Sequence, residues 1–178
     1  MNRIKIHDKY FEPFIPADQL DEVVQTLADK LNLRLAGKTP LFVSILNGSF
    51  IFAADLLKKI NLSCEISFVK MASYSGTSST ENVRELIGFD ENLAGKTVVI
   101  LEDIVDSGIT LKKILETLKQ SGAAEVIVVA LLLKPEAFRM DFEIDYIGMK
   151  IPNDFIVGYG MDYDRLGRNL KDIYRIVE

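Results

Sequence analysis

The chain is short of the side chains that most often carry redox and hydrolytic chemistry. It has one cysteine, Cys64, so no disulfide can close within it. Cys64 lies in the apolar-flanked segment Leu62 to Val69 and reads as a buried core thiol, which suits a reducing compartment. The one histidine, His7, excludes His-pair metal sites and leaves little room for Ser-His or Cys-His catalysis. An excess of positive charge is also missing. The formal charge is -5 and the pI about 5.0, which argues against a nucleic-acid partner. A local positive site for a small anion remains open on an acidic protein. No apolar run approaches the roughly 18 residues of a membrane span. The opening MNRIKIHDKYFE has no apolar signal core, so a cytoplasmic protein without a membrane partner is expected. Five prolines and eleven glycines are too few for a long disordered tail.

What is present is the material of one globular domain over residues 1–178, 48% of it hydrophobic. That length buries roughly 70% of the unfolded surface. Leu20, Val23, Val24, Leu27 and Leu31 recur at helical spacing, and Pro16 suits a first turn, so a helix is predicted over 16–33. Leu41 to Leu46 reads as a buried strand, Asn47-Gly48-Ser49 as a turn, and Phe50 to Ile60 as a helix. Cys64 to Lys70 alternates as a strand. The small, polar stretch ASYSGTSSTEN at 72–82 has no periodicity and is read as a loop. Thr97 to Glu102 is a strand ending in acid, and Leu111, Ile114, Leu115 and Leu118 mark a helix. Val126 to Leu133 is the most apolar strand, and Tyr146 to Ile151 and Phe155 to Tyr159 are strand-like. Buried strands alternating with amphipathic helices predict an α/β fold, a mainly parallel sheet with helices on both faces. Ligands of such sheets bind at the carboxyl ends of the strands, here 46–49, 70–73, 102–110 and 134.

The stretch VVILEDIVDSGITL at 98–111 concentrates the chemistry. Asp106-Ser107-Gly108-Ile109-Thr110 joins a strand to a helix. Gly108 permits close backbone approach, the N–H groups of the helix start point one way, and Ser107 and Thr110 add hydroxyls. The turn fits one phosphate, and it lacks the Gly-Lys-Ser/Thr of a Walker loop. Glu102 and Asp103 just before it would repel that phosphate unless sugar hydroxyls or Mg²⁺ intervene. A ribose phosphate carrying a pyrophosphate is the simplest ligand with all three parts. The bland alternative makes the acids helix-start and solvated loop charges, which accounts well for Asp106.

This stretch resembles the ribose-diphosphate motif of type I phosphoribosyltransferases. The chain from about 15 to 175 is similar to their hypoxanthine (hypoxanthine-guanine) branch. The resemblance runs, in order, through LNGSFIFAADLL at 46–57, SYSGT at 73–77, LEDIVDSGITL at 101–111, LLLKPEAF at 131–138, and FIVGYGMDY with NL at 155–163 and 169–170. It implies a parallel twisted sheet under a small hood made by N- and C-terminal segments. It also implies transfer of a phosphoribosyl group from 5-phosphoribosyl diphosphate to a 6-oxopurine, with Mg²⁺ as cofactor and self-association as a dimer or tetramer. By the same resemblance, Glu102 and Asp103 hold the ribose hydroxyls, directly or through the metal. Residues 106–110 bind the 5′-phosphate, and Asp106 manages the proton at N7 of the base. Lys134 donates to the purine O6, Phe155 stacks on the base, and the main chain of Ile156 meets its edge. Asp162 binds a second Mg²⁺ or its water. Leu46, Asn47, Gly48 and Arg168 serve the pyrophosphate, with a cis peptide joining Leu46 to Asn47. Residues 72–83, with Ser73 and Tyr74, form a mobile lid.

Three positions depart from that pattern. Asn47 stands where better-known members often carry lysine or arginine. Asp154 stands where many carry lysine or glutamate, and Lys150 where glutamate is common. The last two read either as a compensating charge swap or as tuning of base preference, so hypoxanthine, guanine and xanthine stay open. A sensor of the ribose diphosphate that binds RNA or DNA would share the fold but would need a basic face. An unrelated, non-catalytic nucleotide-binding domain would not carry the five ordered matches.

Overall fold

Nine-residue apolar strands at the centre of the chain set the architecture. The computed structural model describes residues 3–73, 83–87 and 92–177. In chain order these form β1 (Ile4–Ile6), β2 (Lys9–Ile15), α1 (Ala17–Arg34), β3 (Leu41–Leu46), α2 (Phe50–Lys59), β4 (Glu65–Ser73) and β5 (Val83–Ile87). There follow β6 (Thr97–Val105), α3 (Ile109–Gln120), β7 (Glu125–Leu133), β8 (Tyr146–Lys150), β9 (Ile156–Val157) and β10 (Ile173–Val177). The larger sheet has the order β5-β4-β3-β6-β7-β8. Its five strands β4, β3, β6, β7 and β8 are parallel, and β5 returns antiparallel on β4.

The central strands carry long apolar runs, Val98 to Leu101 and Val126 to Leu133, because both faces are covered there. Successive side chains alternate between two cores. Phe42, Val99, Leu101, Ile127 and Val129 pack with Leu20, Val24, Leu27 and Leu31 of α1 and Phe52 and Leu56 of α2. Val43, Ile45, Val98, Ile100 and Val128 pack with Leu111, Ile114 and Leu118 of α3. Helices thus flank both faces, as the alternation predicts. A second, antiparallel sheet, β1-β2-β10-β9, joins the first fifteen residues to the last. It is the hood, with Ile6, Phe11 and Val157 buried at its centre. Asp172, just before β10, accepts the Ala17 N–H at 2.7 Å and so supplies the α1 N-terminus with an acceptor that Pro16 lacks. Among the described residues no helix is long and apolar enough to cross a membrane.

Three expectations are corrected. β6 does not end at Glu102 but runs to Val105, because Ile104 and Val105 pair with Leu132 and Leu133 of β7. Glu102 and Asp103 therefore stand inside the strand. The loop read at 72–83 gives up its ends to strands, since Ala72 pairs with Arg84 and Ser73 with Val83. Tyr74 and the rest of the expected lid, 75–82, lie outside the described residues. Cys64 is exposed rather than buried. It precedes β4, whose Ile66 and Phe68 are themselves 41% exposed, so this end of the sheet is less covered than its apolar sequence suggests.

Candidate active site

The carboxyl ends of β3, β6 and β7 meet the hood segment 155–168 around a cavity of about 330 Å³. Its sheet side is made by Asn47, Gly48, Asp103, Ile104, Asp106 and Lys134, and its hood side by Phe155, Ile156, Met161, Asp162 and Arg168. A smaller pocket of about 100 Å³ shares Ile104 and Asp106 with it and is completed by Glu102, Ser107, Gly108, Ile109 and Thr110. All of the site residues singled out in the sequence except Leu46, Ser73 and Tyr74 line these two pockets, brought together from five separate segments. Leu46 contributes the end of β3 and a cis peptide to Asn47. Ser73 ends β4, and Tyr74 is outside the described residues.

Gly108 makes the smaller pocket. Its φ of 87° is left-handed, and a Cβ there would stand 2.8 Å from both Phe138 and Met140. α3 starts immediately after it, so the N–H groups of its first turn, of which that of Ile109 also reaches Ser107 Oγ at 3.5 Å, open onto a pocket of phosphate size.

Gly48 and Gly160 lock the floor of the larger cavity. A Cβ on Gly48 would collide with the Asp103 carboxylate, and one on Gly160, at φ 101°, with the Gly48 carbonyl oxygen. The turn after β3 therefore meets the hood loop backbone to backbone, and the β6 acid through its carboxylate. Buried Ser49 fixes the same turn: its hydroxyl donates to the Ile45 carbonyl and lies 2.6 Å from that of Ser44.

The carboxylates are unequal. Glu102 is buried, and its Oε2 has no hydrogen-bond partner among the described residues. Burial, and then the charge of Asp103, hold its carboxyl well above the usual range. Burial pushes Asp103 up to about 6. Backbone N–H groups and Arg168 pull it back, while Asp162 pushes it further. Asp162 is fully engaged: Oδ1 accepts from Arg168 Nη2 at 2.6 Å and Oδ2 from the Arg165 N–H at 2.7 Å. Arg168 Nη1 donates to the Gly160 carbonyl at 2.7 Å. An orphaned buried carboxylate beside a second one calls for hydroxyl donors or a cation. Among the described residues no three acidic, histidine or cysteine side chains form a metal cage. Mg²⁺ does not require one, since it binds through one or two carboxylates plus water and substrate phosphates. Glu102 and Asp103 therefore fit it, and Asp162 fits it only by sharing an oxygen now held by Arg168.

Lys134 Nζ is buried and donates to Asp106 Oδ2 at 3.1 Å. Phe155 presents its ring to the cavity and is 45% exposed, not part of the core. Asp154 finds its cation in Arg175, at 3.7 Å, rather than in Lys150, which is exposed at the end of β8. The two departures are therefore not a charge swap with each other. Sequence reasoning missed Ile104 and Met161 as cavity walls. Ile104 was legible as the residue two beyond Glu102 once the strand is known to continue. A larger open groove of about 620 Å³ lies elsewhere, between α1, α2 and Leu170. Its walls carry Asp18, Asp21, Glu22 and Asp55, which suit no anionic ligand. Tyr159 donates to Asp55 there at 2.7 Å, and burial with that bond holds its hydroxyl far above the usual range.

A parallel α/β sheet with a phosphate-sized turn after β6, and the buried Glu102 and half-buried Asp103 just before it, defines a protein built to bind a phosphorylated sugar. A family model described as a phosphoribosyl transferase domain matches residues 16–164, and the chain belongs to that family. It is 44% identical to the hypoxanthine-guanine phosphoribosyltransferase of Streptococcus agalactiae over 145 residues, 81% of each chain. It is 36% identical to the bifunctional protein TilS/HprT of Listeria monocytogenes over 93% of this chain, and spans 26% of that protein's length. The crystal structure of a hypoxanthine phosphoribosyltransferase from Staphylococcus aureus superposes with a TM-score of 0.88 at 36% identity, covering 93% of this chain and 91% of the other.

Proposed function

We propose that this chain transfers the 5-phosphoribosyl group of 5-phosphoribosyl diphosphate to N9 of a 6-oxopurine, hypoxanthine with guanine as the second substrate. The products are the nucleoside 5′-monophosphate and pyrophosphate. The N9–C1′ bond forms as the bond from C1′ to the pyrophosphate oxygen breaks, and the purine gives up one proton. The observation that carries this reading is the Lys134–Asp106 pair facing Phe155 across one cavity. An ammonium and a carboxylate 3.1 Å apart match the O6 acceptor and the N7 proton of a 6-oxopurine.

In this reading the turn 106–110 binds the 5′-phosphate through backbone N–H groups and the hydroxyls of Ser107 and Thr110. Glu102 and Asp103 accept from the ribose hydroxyls. The pyrophosphate lies against the backbone of Leu46, Asn47 and Gly48 and against Arg168, with Ser73 and Tyr74 of the lid over it. Asp106 takes up the purine proton and faces the charge that develops at C1′. Lys134 selects against adenine, whose 6-amino group would leave the ammonium unpaired; mismatches of this kind cost on the order of 10⁴-fold. Phe155 stacks on the base, and Ile156 meets its edge through the main chain. Glu102 or Asp103 would hold one Mg²⁺ and Asp162 a second or its water, and the metal would supply positive charge to the diphosphate of the substrate. The chain works in the cytoplasm as a homodimer or homotetramer.

A purine panel tests this. Purified protein with 5-phosphoribosyl diphosphate and Mg²⁺ turns over hypoxanthine or guanine, leaves adenine unchanged, and stops when the metal is chelated. Silence with hypoxanthine, guanine and xanthine overturns the reading.

A further inference from the structure

The exposed ring of Phe155 is held from behind. Tyr163 meets it edge-on at 5.8 Å between centroids, and Phe11 of β2 lies at 6.4 Å. Tyr163 is in turn anchored by the tip of the β1–β2 hairpin. Ile6 pairs with Lys9, so His7 and Asp8 are the two residues of the turn. Asp8 Oδ1 accepts the Tyr163 hydroxyl at 2.8 Å. The His7 ring packs edge-on against the Tyr163 ring at 5.9 Å, and its Nε2 lies 3.2 Å from the Asp164 carbonyl oxygen.

None of the hairpin belongs to the matched phosphoribosyl transferase domain, which begins at residue 16. The hairpin does not line the cavity either. Among the described residues its tip meets the cavity wall through Tyr163, whose ring touches the cavity-facing Phe155, while Phe11 of β2 lies beside both rings. A phenyl ring that is 45% exposed has freedom to rotate unless neighbours fix it, and a stacking platform works best when fixed before the base arrives.

We infer that Tyr163 is a positioning residue for the base, and that Asp8 sets it by holding its hydroxyl, so the hairpin tip tunes base affinity through Phe155. The inference rests on the proposed role of the cavity and deepens it. It assigns the tuning to the base half, because Tyr163 meets Phe155, whereas the Asp162 carboxylate next to it in the chain is held separately by Arg168 and the Arg165 N–H, and the turn 106–110 and Gly48 lie on other elements.

The test is steady-state kinetics on Tyr163→Phe, Asp8→Ala, Asp8→Asn and the Tyr163→Phe/Asp8→Ala double variant. Tyr163→Phe keeps the ring and removes only the hydroxyl. One such hydrogen bond corresponds to about three- to tenfold. The KM for hypoxanthine rises by that factor in Tyr163→Phe and Asp8→Ala, while kcat and the KM for 5-phosphoribosyl diphosphate stay within about twofold. Asp8→Asn keeps an acceptor oxygen and restores the wild-type KM. The double variant is no worse than either single one, as expected for two ends of one contact. Unchanged hypoxanthine KM in both single variants, an equal rise for both substrates, or multiplying effects in the double variant overturns the inference. Asp8 lies in an exposed turn, so its variants remain informative if Tyr163→Phe loses stability. Wild-type protein that turns over no 6-oxopurine overturns the proposed function and this inference with it; active wild type with unresponsive variants overturns this inference alone.

Discussion

The ammonium of Lys134 lies 3.1 Å from the carboxylate of Asp106, and the two are buried to very different degrees. The lysine side chain is 9% exposed and the aspartate 56%. The cation is therefore committed to the cavity wall, while the anion reaches into the space where a ligand would lie. Removing either partner has different consequences.

Asp106→Asn keeps an acceptor for Lys134 and removes the carboxylate proposed to take up the purine proton. The fold and the affinity for 5-phosphoribosyl diphosphate are retained, and kcat falls by roughly 10²-fold or more. Turnover and a thermal melt on the same preparation check both halves. An unaltered kcat would remove Asp106 from proton handling.

Lys134→Ala raises the KM for the 6-oxopurine more than that for 5-phosphoribosyl diphosphate. It costs little stability, about 1 kcal/mol or less, because the carboxylate left behind is in solvent. Equal losses for both substrates would make this a structural lysine.

Gly48→Ala puts a methyl group into the space of the Asp103 carboxylate. Overpacking of this kind costs about 1–3 kcal/mol, and here it also moves an acid of the site. The variant melts lower and loses activity. An active variant with the wild-type melting temperature would show that the turn and β6 can separate freely.

Asp103 links stability to pH. Its carboxyl lies at about 6 in the folded chain against an ordinary 3.8, so the folded state holds the extra proton between those values. Stability from this group is present below about pH 4 and is lost as pH rises through 6. Asp103→Asn removes that cost. Without ligands it is more stable than the wild type by about 1–3 kcal/mol at pH 7.5, and the advantage shrinks toward pH 4. Urea unfolding at the two pH values measures it. An advantage that is the same at both would place its origin in packing rather than charge.

The sheet centre and the turn at 106–110 were readable for two physical reasons. Val98 to Leu101 and Val126 to Leu133 are buried on both faces, so their apolar runs are continuous, and Gly108 is forced by its left-handed backbone. The last three residues of β6 were hidden because two acids interrupt the run, and only pairing with Leu132 and Leu133 reveals the strand. β1, β2 and β10 were not readable from periodicity. They are short, half exposed and held by partners far along the chain, such as Arg175 on Glu12. The Asp8–Tyr163 anchor escaped for the same reason, with 155 residues between its ends.

The antiparallel sheet threads β10 between β2 and β9. Glu12 and Arg175, bonded across it, are 163 residues apart. On a ribosome, β2 emerges early and must wait unpaired on that side until nearly the whole chain has followed. Contacts this distant close late. The parallel sheet and its phosphate turn can assemble while the hood is still open. The half of the cavity that faces Phe155 is then the last part of the molecule to take shape.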